Sequence, residues 1–212
     1  MRGLLLAIWL LCTSAAIFAQ DTSLKAVEAA FKKANITKDL QITFKPSVLL
    51  DVIWPEPGFT VPTRTGETLQ QNETAGPPRF AVHGILPEVH KFVVAAVDPD
   101  ALTPQNPNVS QIRHLLQGNV VRGPTVGFRT HLLVNETPAV TDWIQPAPGA
   151  GSAPHRYVFL LYKQPKGYNN QTFVAPNDSI PAREFFNISQ FAQEVGMGDP
   201  IAGSFVLVGP GP

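Results

Sequence analysis

The sequence predicts a mainly β protein, an antiparallel β-sandwich with peripheral N- and C-terminal helices. Three observations predict it. Short apolar runs rich in β-branched and aromatic residues recur along the chain, bounded by Pro, Gly or Asn. Proline, at 21 of 212 residues, is about twice its usual share of ~5%, which fits many turns and few long helices. Helical periodicity is confined to two stretches, one near each end of the chain.

The first residues, MRGLLLAIWLLCTSAAIFA (1–19), have one positive charge, an apolar core from Leu4 to Leu11 and small residues up to Ala19. This is the layout of a secretory signal peptide cleaved after Ala19, with Ala16 as the alternative, and the apolar run falls short of the ~20 residues that span a bilayer. No charged or Ser/Gly linker divides residues 20–212, which are expected to form a single domain.

Within that domain, SLKAVEAAFKKANI sets Leu24, Val27, Phe31 and Ala34 on one helical face, with Ser23 as N-cap. Strands are expected at 40–45, 48–54, 79–82, 91–97, 114–121, 155–164 and 203–208. A second helix is expected over 183–196, with Phe186, Phe191 and Val195 inward and Gly196 as its stop. The Pro- and Gly-rich stretches at 55–66 and 145–154 read as long loops.

Without Arg2 of the leader, 15 basic residues face 16 acidic ones, a net charge of −1. No basic stripe appears, which argues against nucleic acid as a partner. Cys12 is the only cysteine and lies in the leader, so thiol chemistry and cysteine–zinc sites are excluded from the mature chain. Seven of ten asparagines head N-x-[ST] sequons: Asn35, Asn72, Asn108, Asn135, Asn170, Asn177 and Asn187. Together with the leader they predict an exported glycoprotein, extracellular or in the lumen of the secretory pathway or vacuole.

Chemistry-bearing residues gather at strand ends. FVVAAV runs into Asp98-Pro-Asp100, His114 opens HLLQGNVV, and His155 opens HRYVFLLYKQ after the loop APGAGSAP. Taken singly, an Asp before Pro can serve a turn, and a His at a sheet edge can be simply a satisfied histidine. Spacing alone leaves open whether they converge.

The DPDA segment, the strand-opening His114 and HRYVFLLYKQ together resemble the phosphatidylethanolamine-binding protein family, in a fungal member. PSVLLDVIW and REFFNISQFAQEVGMGDPIAGSFV extend the resemblance over nearly the whole mature chain. Leu102 stands where the family has a proline, and Ile112-Arg113 where it has an acidic–aromatic pair. The resemblance implies a β-sandwich with a small anion-binding cavity lined by Asp98, His114, His155 and Tyr157, with Asp100 supporting the loop. It implies a phosphate-bearing head group or other small anion as ligand, with no cofactor and no stable membrane insertion. The alternative it implies is inhibition of a serine protease or carboxypeptidase. A metal-assisted hydrolase using His114, His155 and Asp98 is a further reading, but the chain has no G-x-S-x-G, H-E-x-x-H or catalytic cysteine, so the expectation is a non-enzyme without a metal.

Overall fold

The computed structural model describes residues 21–56, 59–86, 91–176 and 178–211. The leader, including Cys12, and the sequon at Asn177 lie outside the described residues.

The chain opens with helix α1 (Leu24–Lys33), where Ser23 Oγ accepts from the Ala26 amide as the expected N-cap, and a single turn α2 (Ile36–Asp39) follows. Among the described residues nine strands come next: β1 (Leu49–Glu56), β2 (Phe59–Thr63), β3 (Glu67–Leu69), β4 (Arg79–His83), β5 (Phe92–Asp98), β6 (Ile112–Gly127), β7 (Thr130–Asn135), β8 (His155–Lys163) and β9 (Ala202–Val208). Helix α3 (Ile188–Val195) sits between β8 and β9.

The mainly β expectation holds, but the two-sheet sandwich is corrected. All nine strands form one continuous sheet in the order β2-β1-β4-β7-β6-β5-β8-β9-β3. The sheet rolls until its ends approach: the Ser47 and Val48 amides, just before β1, both donate to the Ile201 carbonyl, just before β9, at 2.8 and 3.4 Å. The result is a nearly closed barrel. Its interior is filled by Leu50, Val52, Val82, Val94, Phe159 and Val206.

The opposite face of the central strands is covered as well. Val93, Ala95, Leu160 and Tyr162 pack there with Phe31 of α1 and Phe191 of α3. Strand β5 is therefore buried at every residue, which is why it reads as a continuous apolar run rather than an alternating one.

Several boundaries differ from expectation. Residues 40–45 form no strand: Gln41 takes a left-handed φ of 53°, and Phe44 stacks on Phe31 at 4.0 Å instead of facing a pairing partner. Strands β2, β3 and β7 were not expected, and β2 lies in a stretch whose prolines read as loop. Helix α3 starts at Ile188 rather than at 183, because Asn187 caps it and Phe185 before it has a φ of 56°. Gly196, at φ 76°, ends it as expected.

Candidate functional site

Antiparallel pairing explains why the polar residues meet. Strand β5 lies between β6 and β8, pairing Asp98 with Ile112 and Val97 with Val158. The C-terminal end of β5 therefore abuts the N-terminal ends of both neighbours, and Asp98, His114 and His155 come to one end of the sheet. His155 and Tyr157, two apart on β8, share a face, while Arg156 takes the other.

The cluster is buried and interlocked. Asp98, Asp100, His114, His155 and Tyr157 are all buried. Asp98 Oδ2 lies 2.8 Å from His155 Nδ1, and Asp98 Oδ1 accepts from the Asp100 amide at 2.7 Å. The second His155 nitrogen, Nε2, is 3.0 Å from Ser152 Oγ. On the far side of Tyr157, His114 Nδ1 lies 2.8 Å from the Ile144 carbonyl, an arrangement that places a hydrogen on Nδ1. The His114 ring meets Tyr157 edge-on at 4.9 Å, and the His155 ring lies parallel to Tyr157 at 6.3 Å.

Electrostatics assign states to two of these groups. Burial lowers the His114 pKa, and the opposing pull of Asp98 and the Ile144 carbonyl does not restore it, so the ring favours its neutral form. Burial, and then the negative charges of Asp98 and Asp100, push the Tyr157 phenol far above its ordinary range. Tyr157 thus keeps its hydrogen and remains a donor.

All five residues expected from the sequence lie at this one site. Asp100 does support the loop, but through a partner that the sequence reading missed: its carboxylate holds Arg156. That arginine stands beside His155 in the HRY segment, which is the only signal the sequence offered. Ser152 was also missed, since a lone serine in a Gly/Pro-rich loop carries no pattern. Arg113 is turned away from the cluster: its Nε donates to Thr141 Oγ1 at 2.7 Å, its Nη2 to the Ala182 carbonyl at 3.0 Å, and its guanidinium lies over Phe186. The Ile112-Arg113 departure therefore fastens the segment before α3 rather than altering the histidine site. Leu102 is exposed on the loop surface.

Of the sequon asparagines described, Asn35, Asn72, Asn108, Asn135 and Asn170 are exposed. Asn187 is half-buried, and its side chain accepts from the Gln190 amide as the cap of α3.

The family model described as phosphatidylethanolamine-binding protein matches residues 54–205. The chain is 28% identical over 174 residues to the carboxypeptidase Y inhibitor of Saccharomyces cerevisiae, covering 70% of this chain and 78% of that one. It is 26% identical to the Arabidopsis thaliana protein FLOWERING LOCUS T over 81% of this chain and 86% of that protein. Among solved structures it resembles a carboxypeptidase Y inhibitor complexed with its cognate proteinase, with a TM-score of 0.75, 26% identity, and coverage of 92% of this chain and 98% of that one. The phosphatidylethanolamine-binding protein of Plasmodium vivax shares the fold, with a TM-score of 0.65 at 18% identity, over 87% of this chain and 97% of that one. On the match of the family model across most of its length, the chain belongs to the phosphatidylethanolamine-binding protein family.

Proposed function

We propose that the chain is a binding protein, not a turnover enzyme, and that its buried polar cluster takes a phosphate-type head group or a similar small anion. The observation that carries this reading is the meeting of Asp98, His114, His155 and Tyr157 at one sheet end. His155 can turn an Nε2 hydrogen from Ser152 towards an anion oxygen, and Tyr157 retains a hydroxyl hydrogen that can turn from Asp98 to an anion. His114, its Nδ1 hydrogen committed to Ile144, offers Nε2 as an acceptor for a protonated phosphate oxygen or an ammonium group. Asp98 and Asp100 are engaged by His155 and Arg156, which limits their repulsion of an anion.

Calorimetric titration with O-phosphoethanolamine tests the reading. A saturable one-site isotherm supports it, and the absence of binding up to millimolar ligand contradicts it. The leader-like N-terminus and the sequons support export as the setting for this activity.

A second reading is inhibition of a serine carboxypeptidase, and a specific observation favours it: the fold matches the inhibitor of the solved proteinase complex over nearly the whole chain. Progress curves of a purified serine carboxypeptidase with increasing amounts of this protein test it. Unchanged rates at a large molar excess would exclude it for that enzyme.

A further inference from the structure

Three side chains of the cluster stand in a line that head-group binding does not require. Ser152 Oγ is 3.0 Å from His155 Nε2, and the opposite ring nitrogen is 2.8 Å from Asp98 Oδ2. Hydroxyl, imidazole and carboxylate follow one another in the order that acyl transfer to serine uses, and such sets are recognised by geometry rather than by chain position. Asp98 and His155 are each only 2% exposed, whereas Ser152 is half-buried at the outer end of the line. The Asp100 amide holds the second oxygen of Asp98, so the carboxylate cannot swing away from the ring.

The Ser152 hydroxyl has two acceptors in reach, His155 Nε2 and the Ala153 carbonyl at 2.9 Å. With His155 neutral and its hydrogen on Nδ1 facing Asp98, Nε2 presents a lone pair, and the hydroxyl donates to it. With His155 doubly protonated, Nε2–H donates to Oγ, and the hydroxyl turns to Ala153. The pair thus has a place for the serine proton both before and after its transfer.

The surroundings of Oγ also suit a carbonyl group. Gly151 and Ala153 flank the serine, and among the described residues neither amide donates to another backbone or side-chain group. The amide following a nucleophilic serine is a common donor to the developing oxyanion. The loop borders open space at Gly149 and Gly151.

We propose that Ser152 is an activated nucleophile that accepts the acyl group of small carboxylic esters. Oγ bonds to the carbonyl carbon as its proton passes to His155 Nε2. The tetrahedral adduct then collapses, the bond to the alkoxy oxygen breaks, and the departing alcohol takes the proton from His155, leaving an O-acyl serine and a neutral ring. Asp98 is a positioning residue that holds the ring with Nε2 towards Ser152. A small ester suits the site because Ser152 is itself half-buried. This reactivity shares His155 and Asp98 with the head-group reading but does not depend on it.

The test is incubation of the full chain with p-nitrophenyl acetate, followed by mass spectrometry of its peptides. The expected result is one acetyl group on Ser152, absent from Ser152→Ala, retained on the thiol of Ser152→Cys, and formed about a hundredfold more slowly in His155→Gln. Asp98→Asn is expected to slow acetylation and shift its pH profile, a change that a merely structural carboxylate would not cause. Absence of acetyl at Ser152, or equal rates there in His155→Gln or in urea-unfolded protein, would overturn the proposal. Titration of Ser152→Ala with O-phosphoethanolamine separates the two readings. Intact binding without acetylation in wild type defeats this inference alone, and acetylation without binding defeats the head-group reading alone.

Discussion

Asp100 grips Arg156 through both carboxylate oxygens: Oδ2 accepts from the Arg156 amide at 2.8 Å and from Nε at 2.9 Å, and Oδ1 accepts from Nη2 at 2.6 Å. Arg156 Nη1 reaches Asp39 at 2.8 Å and also donates to the Ala34 carbonyl. One arginine thus ties the turn after β5 to β8 and to both N-terminal helices. Burial alone would lower the Arg156 pKa, but Asp100 and Asp39 more than offset that and raise it, so the clamp stays charged. Asp100→Ala should destabilise the fold by about 3 kcal/mol, because it removes the buried carboxylate that holds Nε, Nη2 and the Arg156 amide and leaves Nη1 with Asp39 and the Ala34 carbonyl. Urea unfolding measures this, and a loss below about 1 kcal/mol would show that the clamp is dispensable.

His114 makes stability depend on acid. Its folded pKa is lowered by burial, while in the unfolded chain it titrates near ~6.5. Between those two values the unfolded state binds more protons, so the contribution of His114 is complete above ~6.5 and is lost as pH falls through the folded pKa. The urea midpoint should therefore drop as pH falls below about 6.5, and His114→Gln should flatten part of that slope. An identical slope in wild type and variant would contradict the assignment.

The α1 interface rests on a missing side chain. A Cβ at Gly203 of β9 would lie 2.9 Å from the Phe159 carbonyl oxygen and 3.0 Å from Phe31 Cζ. Gly203→Ala should cost about 1–3 kcal/mol by overpacking. Gly149→Ala, with nothing within 4 Å, should fall within about 0.5 kcal/mol of wild type. Thermal unfolding of the two variants makes the comparison, and equal stability would contradict the close approach.

Export carries its own prediction. Protein from a native secretory host should begin at or near Gln20 and lose mass on endoglycosidase treatment. Asn187 should be the least occupied of the described sequons, because its side chain caps α3. Asn187→Ala should cost about 1 kcal/mol as a lost cap. Peptide mapping that found Met1 intact and every sequon bare would contradict export.

The β class and the meeting of the polar residues at one sheet end were legible because both depend on local pattern. Each apolar run that became β1, β4, β5, β6, β8 or β9 carries its own burial signal, and Asp98, His114 and His155 mark strand ends that antiparallel pairing must bring together. What stayed hidden depends on distant partners. Residues 40–45 look like a strand until Phe44 is seen on Phe31, and β7 is defined by its neighbours β4 and β6. The closure of the sheet at Ile201 leaves no local trace. Ser152 gains meaning only from a histidine whose ring orientation is fixed by Asp98, 57 residues away in sequence.

Whether the head group sits in the cluster around Asp98 and His155 is read by calorimetric titration of wild type and His155→Gln with O-phosphoethanolamine. Loss of one charge-assisted donor, worth roughly 1.5–3 kcal/mol, should weaken binding about ten- to hundredfold. Because His155 is buried against Asp98, the variant should also unfold at lower urea, so both titrations belong under conditions where circular dichroism shows the variant folded. A weakened one-site isotherm in the folded variant is the predicted result; equal affinity in the two proteins would place the ligand elsewhere and contradict the account.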